Sequence, residues 1–423
     1  MRVRAAAACT AIGAIIGCAG CTSGPAHPQA SAEASQVRTS VTAPATLTLP
    51  DRALPSPGCS TAMAKSPLLH GVNTAMVAVP GNPFGVAVTP DGQWAFVALG
   101  RSIQVLRTGP SIAPVKVATL PVSLEAPPKL GPGFLLGDTL TPDGRYLIVA
   151  DDGSGAVVIS VARAEQGSAD AVLGTLSDPH GGVGAIEVAV SPDGDYAFVT
   201  QEDSNRAAVF NLHRALTQGF GGADFVGTIP LGVAPVGMAV SPGGRWLYAT
   251  SEVARNGQGN QGTLTVINLV RAETDPSASV VATVAGGCNP VRVVTSADGR
   301  LVWVTARESD DLLCYAAVRL LSDPAGALVA TVRVGEAPVG LMPVRDGSLV
   351  VVADSNRFAA RGATSDLSVV DVAEVLAGKP AVLGIISAGQ FPREMALEPD
   401  GQRLLVTNYA SGQLEAVSIP TIP

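Results

Sequence analysis

Charged and aromatic side chains are scarce in this sequence. Only 15% of its 423 residues are charged and only 4% are aromatic, whereas 47% are hydrophobic. A chain with so much apolar surface to bury is not disordered as a whole, and its core must consist mainly of Val, Ala and Leu. The formal charge of −8 argues against nucleic acid and anionic lipid headgroups as main partners.

Histidine is also rare, and familiar catalytic motifs are missing. The four histidines stand at positions 27, 70, 180 and 213, and we expect only His180 to approach the functional face defined below. A site with three His ligands is therefore close to excluded, and we expect no metal and no cofactor. The sequence has no GxSxG elbow and no P-loop. Asp151 and Asp152 lack the ligand spacing of an EF-hand, although calcium bound by loop carboxylates stays an alternative.

The first 17 residues have the features of a bacterial secretory signal. A short basic region precedes an apolar run at residues 5–17, which is too short to span a bilayer. The run ends in Ile15-Ile16-Gly17-Cys18, which matches the lipobox of bacterial lipoproteins and predicts lipidation of Cys18. Cys21 is the second candidate, and an ordinary secretory signal is the alternative. We therefore expect secretion across the cytoplasmic membrane and a lipid anchor at the cell envelope.

Residues 18–71 are predicted to form a flexible tether, because much of this stretch is rich in Ala, Ser, Thr and Pro and has little periodicity. No later segment offers about eighteen uninterrupted apolar residues. The lipid anchor is therefore the only membrane contact that we expect.

A turn triplet followed by an apolar strand recurs seven times. In most copies the triplet is Pro-Asp-Gly, in which Pro presets the first turn angle and Gly supplies a positive φ. The triplets are about 50 residues apart and occupy residues 90–92, 142–144, 192–194, 242–244, 297–299, 345–347 and 399–401.

Each repeat contains four strand-like runs. In the fourth repeat these runs are residues 236–241, 246–251, 263–268 and 279–284, whose Val, Ile and Thr content favours strands. Four strands in about 50 residues are typical of a β-propeller blade. The sequence therefore predicts an all-β, seven-bladed propeller that forms one domain over residues 72–423.

The two ends of the repeat region complement each other. The last repeat stops at Pro423 without a fourth strand, and an unassigned strand at residues 75–79 precedes the first repeat. We expect that N-terminal strand to complete the last blade and close the ring, which protects its edges. Short helical segments between the third and fourth runs of several repeats, such as residues 212–218, are expected on the outer rim.

The repeats resemble a known family. Val406-Thr407-Asn408-Tyr409 and the following residues resemble the YVTN repeat of surface and periplasmic propellers. The Pro-x-Gly-x-Ala-Val-x-Pro-Asp-Gly pattern at residues 83–92 is shared with that group and with lactonase-like seven-bladed propellers. The resemblance covers residues 72–423 and implies the fold; it says little about activity, because the motif residues build turns and strands.

The first candidate site is an axial layer formed by the residues five positions before each triplet. Four blades have Gly there, which we attribute to crowding at the axis. Three blades have a long charged residue that should point into the channel mouth, and Arg393 and Asp138 lie beside this layer. These groups could clamp a small anionic or polar ligand, or they could form a structural ion-pair plug. The aligned residues are Gly85, Gly137, Glu187, Gly237, Arg292, Gly340 and Glu394.

The second candidate site is the ring of loops that follow the second strands. We expect these loops on the same face as the channel mouth, opposite the turn triplets. The loops at residues 255–262 and 356–364 are the longest candidates for partner contacts, and a solvated polar rim is the alternative. The polar residues of this ring are Asp151, Asp152, Glu202, Asp203, Glu252, Arg307, Glu308, Asp354, Arg357, Asn408 and Tyr409.

The lactonase resemblance bears on the axial layer. It implies a site at the channel mouth that uses His, Arg and Glu, in which Arg292 or Arg393 could stabilise an oxyanion and Glu187 or Glu394 could act as a general base. No His stands at the aligned inner-strand positions, which departs from that pattern.

The leading functional hypothesis is accordingly a monomeric, non-catalytic envelope lipoprotein. Its partner would be a small polar ligand or an envelope protein. The alternative is a lactonase-like hydrolase that acts on a small lactone or a sugar-acid derivative.

Cysteines after the signal allow one disulfide in an oxidising envelope. Cys59–Cys288 would staple the tether to the domain, and Cys314 would pack as a small apolar side chain. The sequence alone leaves the connectivity open.

Overall fold

The computed structural model describes residues 49–50, 54–55, 58–61, 63–122, 134–153, 155–255, 260–358 and 365–423. Residues 47–423 form one compact unit. The predicted signal and the lipidation site at Cys18 lie outside the described residues. No described helix is long and apolar enough to cross a membrane.

The described chain forms seven four-stranded antiparallel sheets arranged as propeller blades, which confirms the predicted fold. In blades one to six the four strands are consecutive in the chain and run in order from the inside outward. The N-terminal strand is β1 (Thr74–Ala78). The strands of blades one to three are β2 (Val86–Val88), β3 (Trp94–Ala98), β4 (Ser102–Arg107), β5 (Val115–Pro121), β6 (Leu135–Leu140), β7 (Tyr146–Asp151), β8 (Gly155–Ser160), β9 (Val172–Ser177), β10 (Ala185–Val190), β11 (Tyr196–Gln201), β12 (Arg206–Asn211) and β13 (Phe225–Pro230).

Blades four to seven repeat the same order. Their strands are β14 (Val233–Val240), β15 (Trp246–Val253), β16 (Gln261–Asn268), β17 (Val280–Cys288), β18 (Pro290–Thr295), β19 (Leu301–Ala306), β20 (Asp311–Ala316), β21 (Leu328–Arg333), β22 (Pro338–Val344), β23 (Leu349–Asp354), β24 (Ser365–Asp371), β25 (Val382–Ala388), β26 (Pro392–Leu397), β27 (Arg403–Asn408) and β28 (Gln413–Ser418).

The last blade takes its outermost strand from the N-terminal side of the ring. Strand β1 pairs antiparallel with β28, with Thr74 opposite Val417 and Ala78 opposite Gln413. The strand begins one residue earlier than the sequence indicated. The hydrogen bonds of this pair join the two ends of the repeat region within one sheet, so the ring has no open seam.

Short helices lie where the sequence places them, between the third and fourth strands. In four of these five helices the preceding residue is Asn, Asp or Ser, a residue type that favours helix starts; for example, the Asn211 side chain accepts a hydrogen bond from the Arg214 amide, 2.7 Å away. The helices are α1 (Val161–Glu165), α2 (Leu212–Gln218), α3 (Leu269–Ala272), α4 (Arg319–Ser322) and α5 (Val372–Leu376).

The core lies between neighbouring blades and consists mainly of small aliphatic side chains. Fully buried Val, Ala and Leu dominate it, with a few large rings such as Trp303, Tyr315 and Phe96. This composition agrees with the scarcity of aromatic residues in the sequence.

The described residues of the expected tether contact the ring. Cys59 forms a disulfide with Cys288, a pairing that the sequence left open, and Cys314 is free and buried, as expected. The Ala64 amide donates to the Val334 carbonyl oxygen at 2.7 Å. Leu68 forms a parallel bridge with Ile385 in the outer strand of blade six. We call residues 58–71 the strap, because this segment crosses blades five and six before β1 joins blade seven.

Candidate functional site: the channel axis and its upper mouth

Six inner strands carry a β-bulge at the same place. In blades two to seven the pairing register shifts across two residues, for example between Leu135 and Asp138 and between Pro290 and Val293. The second of these two residues is the axial residue of the repeat, and the first precedes it. A bulge redirects the side chains within it, which explains why residues from different blades meet at the axis.

Glycine is required at the other axial positions by close backbone approach, as the sequence indicated. A Cβ atom on Gly340 would lie 2.1 Å from the Arg393 carbonyl oxygen of the next inner strand, and one on Gly137 would lie 2.6 Å from the Ile186 carbonyl oxygen. These distances are far below van der Waals contact. The inner strands therefore pack backbone to backbone around a narrow channel.

Arg292 joins three blades through the axial layer. Its Nε lies 2.8 Å from Glu394 Oε1 and 3.3 Å from Glu187 Oε2, and its Nη2 also donates to Glu394. The guanidinium is buried, with 5% of the residue exposed. The structure therefore brings Glu187, Arg292 and Glu394 together as an ion-paired cluster, which is the structural alternative that the sequence left open.

Carboxyl groups outnumber cations in this cluster. Both carboxylate oxygens of Asp138 are buried and have no hydrogen-bond partner among the described residues. Burial, together with Glu187 and Glu394, raises the pKa of Asp138 well above its usual value. Burial also raises the pKa of Glu187 to about 8, against the opposing charge of Arg292 and with a further increase from Glu394. Both groups therefore hold protons readily in the folded state.

A small cavity adjoins the axial charges on the side of the turn triplets, which we call the lower face. Its volume is about 130 Å³, and Asp138, Glu187, Arg292 and Glu394 all line it. At about 30 Å³ for each water molecule, this space holds roughly four waters. The cavity can therefore hydrate the buried carboxyls, but it is smaller than the 300–1,000 Å³ or so of ordinary ligand pockets.

An apolar collar covers the axial charges on the opposite, upper face. It is formed by the residues that precede the axial positions, and most of them are almost fully buried. The collar separates the ion-paired cluster from the upper mouth of the channel. Its six apolar members are Phe84, Leu136, Ile186, Val236, Val291 and Val339.

Arg393 takes the seventh position of the collar. The carbon at the centre of its guanidinium lies 3.7 Å from the centroid of the Phe84 ring, 5.3 Å from that of Phe391 and 5.6 Å from that of Tyr409. Burial and the nearby charge of Arg292 lower its pKa to about 9. Within the described chain it makes no hydrogen bond and no ion pair. Arg393 is therefore a cation that is surrounded by aromatic rings and has no anionic partner among the described residues.

A second guanidinium lies beside Arg393. The guanidinium carbon of Arg357 lies 5.4 Å from the centroid of the Phe391 ring and 5.6 Å from that of Phe358. Burial and the charge of Arg307 lower the pKa of Arg357. The two arginines share the Phe391 ring, so they line one edge of the upper mouth. We call Phe84, Arg357, Phe391, Arg393 and Tyr409 the mouth cluster.

Charged residues of the second ring extend the mouth outward. Arg307 Nη2 lies 2.9 Å from Glu252 Oε1 and 3.1 Å from the Asn289 side-chain oxygen. Burial, Glu252 and Asp203 raise the pKa of Glu202, whereas Arg307 and Arg393 oppose that increase. The structure thus places Glu202, Glu252 and Arg307 within electrostatic reach of the mouth cluster.

Three other residues that the sequence placed in the second ring lie away from the mouth cluster. Asp152 accepts a hydrogen bond of 2.7 Å from the Phe134 amide at the start of blade two, and its pKa is raised by burial and by the neighbouring carboxylates of Asp151 and Asp203. Asp354 and Asn408 are buried, with 2% and 0% of each residue exposed. Both are therefore structural groups within their blades and do not face the upper surface, because β-strand alternation turns them inward.

The described histidines lie away from the axis. The His180 ring packs on Phe225 in blade three, with centroids 5.5 Å apart. His213 Nδ1 lies 3.5 Å from Asp195 on the outer rim. Nowhere in the described ranges do three His, Cys, Asp or Glu side chains form a group with metal-binding geometry.

Four threonines of the second strands hold the axial layer, and the sequence reasoning missed them. The backbone amides of Glu187, Gly237, Arg292 and Glu394 each donate to a threonine hydroxyl of the same blade. Each hydroxyl donates in turn to a collar carbonyl of the next blade. The sequence contained a signal that could have identified them, because each threonine occupies the same position in the second strand of its blade. They are Thr200, Thr250, Thr305 and Thr407.

Comparison with known proteins agrees with this architecture. Residues 138–337 match the family model described as lactonase, 7-bladed beta-propeller. No curated protein matches the chain significantly. A chain of the Kuenenia stuttgartiensis hydrazine synthase is similar in structure, with a TM-score of 0.62, 16% identity, and coverage of 84% of this chain and 99% of that chain.

A chain of a mitotic checkpoint complex is similar to the same degree. It has a TM-score of 0.62 and 13% identity, and the match covers 84% of this chain and 97% of that chain. At such identities the likeness shows the fold alone. The chain is therefore a seven-bladed β-propeller that matches the lactonase propeller family over residues 138–337, which confirms the resemblance seen in its repeats.

Proposed function

We propose that this chain is a non-catalytic binding protein of the bacterial cell envelope and that its upper mouth takes a small organic anion. The observation that carries the proposal is Arg393, a guanidinium surrounded by Phe84, Phe391 and Tyr409 and without an ion pair in the described part of the chain. A half-buried cation of this kind gains most from an anionic partner.

The chemistry of the mouth cluster favours a carboxylate or a phosphate. A guanidinium presents paired donors that fit either group in a bidentate arrangement. Stacking on Phe391 fixes the planes of Arg357 and Arg393 before a ligand arrives, so less side-chain freedom is lost on binding. The aromatic rings also lower the local dielectric, which strengthens a charge pair.

Burial of the axial carboxyls supports a non-catalytic role. The collar covers Glu187 and Glu394, and Arg292 is ion-paired with both. A general base must come within hydrogen-bond distance of the substrate proton. A ligand at the mouth would have to displace the collar before it could meet either group.

Calorimetric titration tests the binding proposal with inorganic phosphate, acetate and gluconate as probes. We expect at least one probe to bind, and both Arg393→Gln and Arg357→Gln to weaken that binding about tenfold or more. Arg245→Gln is the matched control, because Arg245 stacks on Trp246 at 4.8 Å on the lower face. Absence of binding by all three probes, or an equal loss in the control, would overturn the proposal.

A lactonase-type hydrolase is the second candidate, favoured by the family match over residues 138–337, which includes Glu187 and Arg292. In that case Glu187 or Glu394 would act as the general base and Arg292 or Arg393 would stabilise the oxyanion. Proton release from small lactones measures this activity. If the protein opens a lactone, and Glu394→Gln abolishes the reaction without changing the melting curve, the non-catalytic proposal is wrong.

The proposed location follows from the N-terminal sequence. Cleavage before Cys18 and acylation of its thiol would hold the propeller at the membrane surface. We further propose that the protein is a monomer and has no nucleic-acid partner. Metabolic labelling with a fatty acid tests this location. Cys18→Ser should abolish both label and membrane association; if it does not and Cys21→Ser does, the anchor moves to Cys21.

A further inference from the structure

A second cavity on the upper face goes beyond the proposed function. Its volume is about 650 Å³, within the usual range for ligand pockets. One wall is the strap, with Met63, and the other wall comes from blades five and six, with Glu308, Glu336 and Phe358. We call this cavity the strap pocket. Its described lining shares no residue with the mouth cluster, although Phe358 is adjacent in sequence to Arg357.

The strap wall is held at several points. The Cys59–Cys288 disulfide fixes one end of it. The Arg333 Nη1 donates to the Ser60 carbonyl oxygen at 2.8 Å, and the Ala64 amide donates to Val334. A wall fastened in this way is preformed, so a ligand does not have to order it.

The lining of the strap pocket is acidic. Among the described residues it includes the carboxylates of Glu308, Asp310 and Glu336 and one guanidinium, that of Arg307. Arg307 is already paired with Glu252 at 2.9 Å. Opposite charge close to a partly buried carboxylate is favourable, so the pocket should prefer a cation.

The carboxylates of this pocket differ in how far they are engaged. Glu308 accepts a hydrogen bond from the Asn260 side chain, and Asp310 Oδ1 accepts one of 3.0 Å from the Ala337 amide. The Glu336 side chain makes no hydrogen bond or ion pair within the described ranges. Glu336 is therefore the carboxylate most available to a ligand.

The pocket also has apolar walls and an unused donor. Met63 and Phe358 are 51% and 60% exposed and lie on opposite walls of the pocket. The Nε of Arg307 is buried and has no hydrogen-bond partner in the part of the chain that is described. A ligand that covers the two apolar side chains and offers an oxygen to the Arg307 guanidinium would use both features.

We propose that the strap pocket binds an organic ammonium ion that carries an apolar group and a carbonyl oxygen, the chemistry of an apolar residue at the amino terminus of a peptide. The ammonium group faces Glu308 and Glu336. The apolar group packs between Met63 and Phe358, and the carbonyl oxygen accepts from the Arg307 guanidinium, which lines the pocket.

Three small probes separate these contributions in calorimetric titrations of the full-length protein. Leucinamide has all three groups, isocaproamide lacks the ammonium group, and glycinamide lacks the apolar side chain. We expect leucinamide to bind about tenfold more tightly than either of the others. Equal binding of leucinamide and isocaproamide, or no binding of leucinamide, would overturn the proposal.

Variants locate the binding. The double variant Glu308→Gln/Glu336→Gln should weaken leucinamide about tenfold, and Phe358→Ala should weaken it as well. Glu374→Gln is the matched control on α5, where Glu374 pairs with Lys379. An equal loss in the control refutes the assignment, and melting curves verify that each variant is folded. Arg393→Gln should leave leucinamide binding unchanged, so this proposal and the proposed function can fail separately.

Discussion

The Arg292 Nε atom lies 2.8 Å from Glu394 Oε1 and joins blade five to blade seven across the channel axis. The same guanidinium reaches Glu187 of blade three. One side chain therefore connects three of the seven blades at the point where the ring is narrowest. The cluster is buried, so removing one member leaves charge without compensation.

Arg292→Ala should destabilise the fold strongly. It leaves the buried carboxyls of Glu187 and Glu394 without their cation, and breaking a buried ion pair in this way costs roughly 3–5 kcal/mol. Denaturant unfolding at neutral pH measures the change. The control is Arg271→Ala, whose partner Asp275 lies 3.7 Å away with both side chains more than half exposed. A cost no larger than that of the control would show that the axial cluster does not stabilise the ring.

Glu187→Gln should change how stability depends on pH. Because burial raises the pKa of Glu187 to about 8 in the folded state, this group binds more protons when folded than when unfolded between pH 4.5 or so and about 8. Its contribution to stability is fully present below that window and is lost as pH rises through it.

Unfolding free energies measured from about pH 5 to about pH 9 test this expectation. The wild type should lose stability relative to Glu187→Gln as the pH increases. The raised pKa of Glu187 would be contradicted by parallel curves for the two proteins, or by a wild type whose stability relative to the variant increases with pH.

Gly340→Ala should also be costly. The added Cβ atom would lie 2.1 Å from the Arg393 carbonyl oxygen, so the two inner strands must separate, at a cost of roughly 3 kcal/mol. Gly109→Ala is the control, because nothing lies within 4 Å of a Cβ atom there. That substitution should be neutral or stabilising by roughly 0.4–1 kcal/mol. Calorimetric melting of both variants measures the difference, and equal melting temperatures would refute the crowding of the axis.

Removal of β1 should prevent stable closure of the ring. A chain that begins at residue 80 lacks β1 and leaves the backbone of β28 without its partner, so its melting temperature should fall by about 10 °C or more. A chain that begins at residue 72 keeps β1 but also lacks the Cys59–Cys288 disulfide. It therefore isolates the contribution of the strand. If the two chains have the same melting temperature, β1 does not stabilise the last blade.

Much of the fold could be predicted because each blade repeats a local pattern. The triplet at residues 142–144 and the apolar strand after it need only turn geometry and strand propensity, and the same signals recur in every repeat. The axial residues could be aligned for the same reason. Their electrostatic state could not, because the pKa of Glu187 depends on burial and on Arg292, more than a hundred residues away.

The arrangement of the upper mouth could not be predicted from the repeat pattern. Arg393 was expected beside the axial charges, but its stacking on Phe84 and Phe391 depends on how three separate repeats meet. Asp354 and Asn408 read as surface loop residues, yet each belongs to the buried end of a second strand. A shift of one residue at a strand end changes which side of the sheet a side chain occupies.

The number of blades, the turn geometry and the need for glycine near the axis follow from the amino-acid sequence, because they depend on contacts repeated within each unit or between equivalent units. Only the tertiary structure shows that Arg292 contacts both Glu187 and Glu394, that Arg393 has no anionic partner in the described chain, and that the strap forms one wall of a pocket. Each of these arrangements depends on residues from blades that are distant in the sequence, and only closure of the ring brings them within a few ångströms.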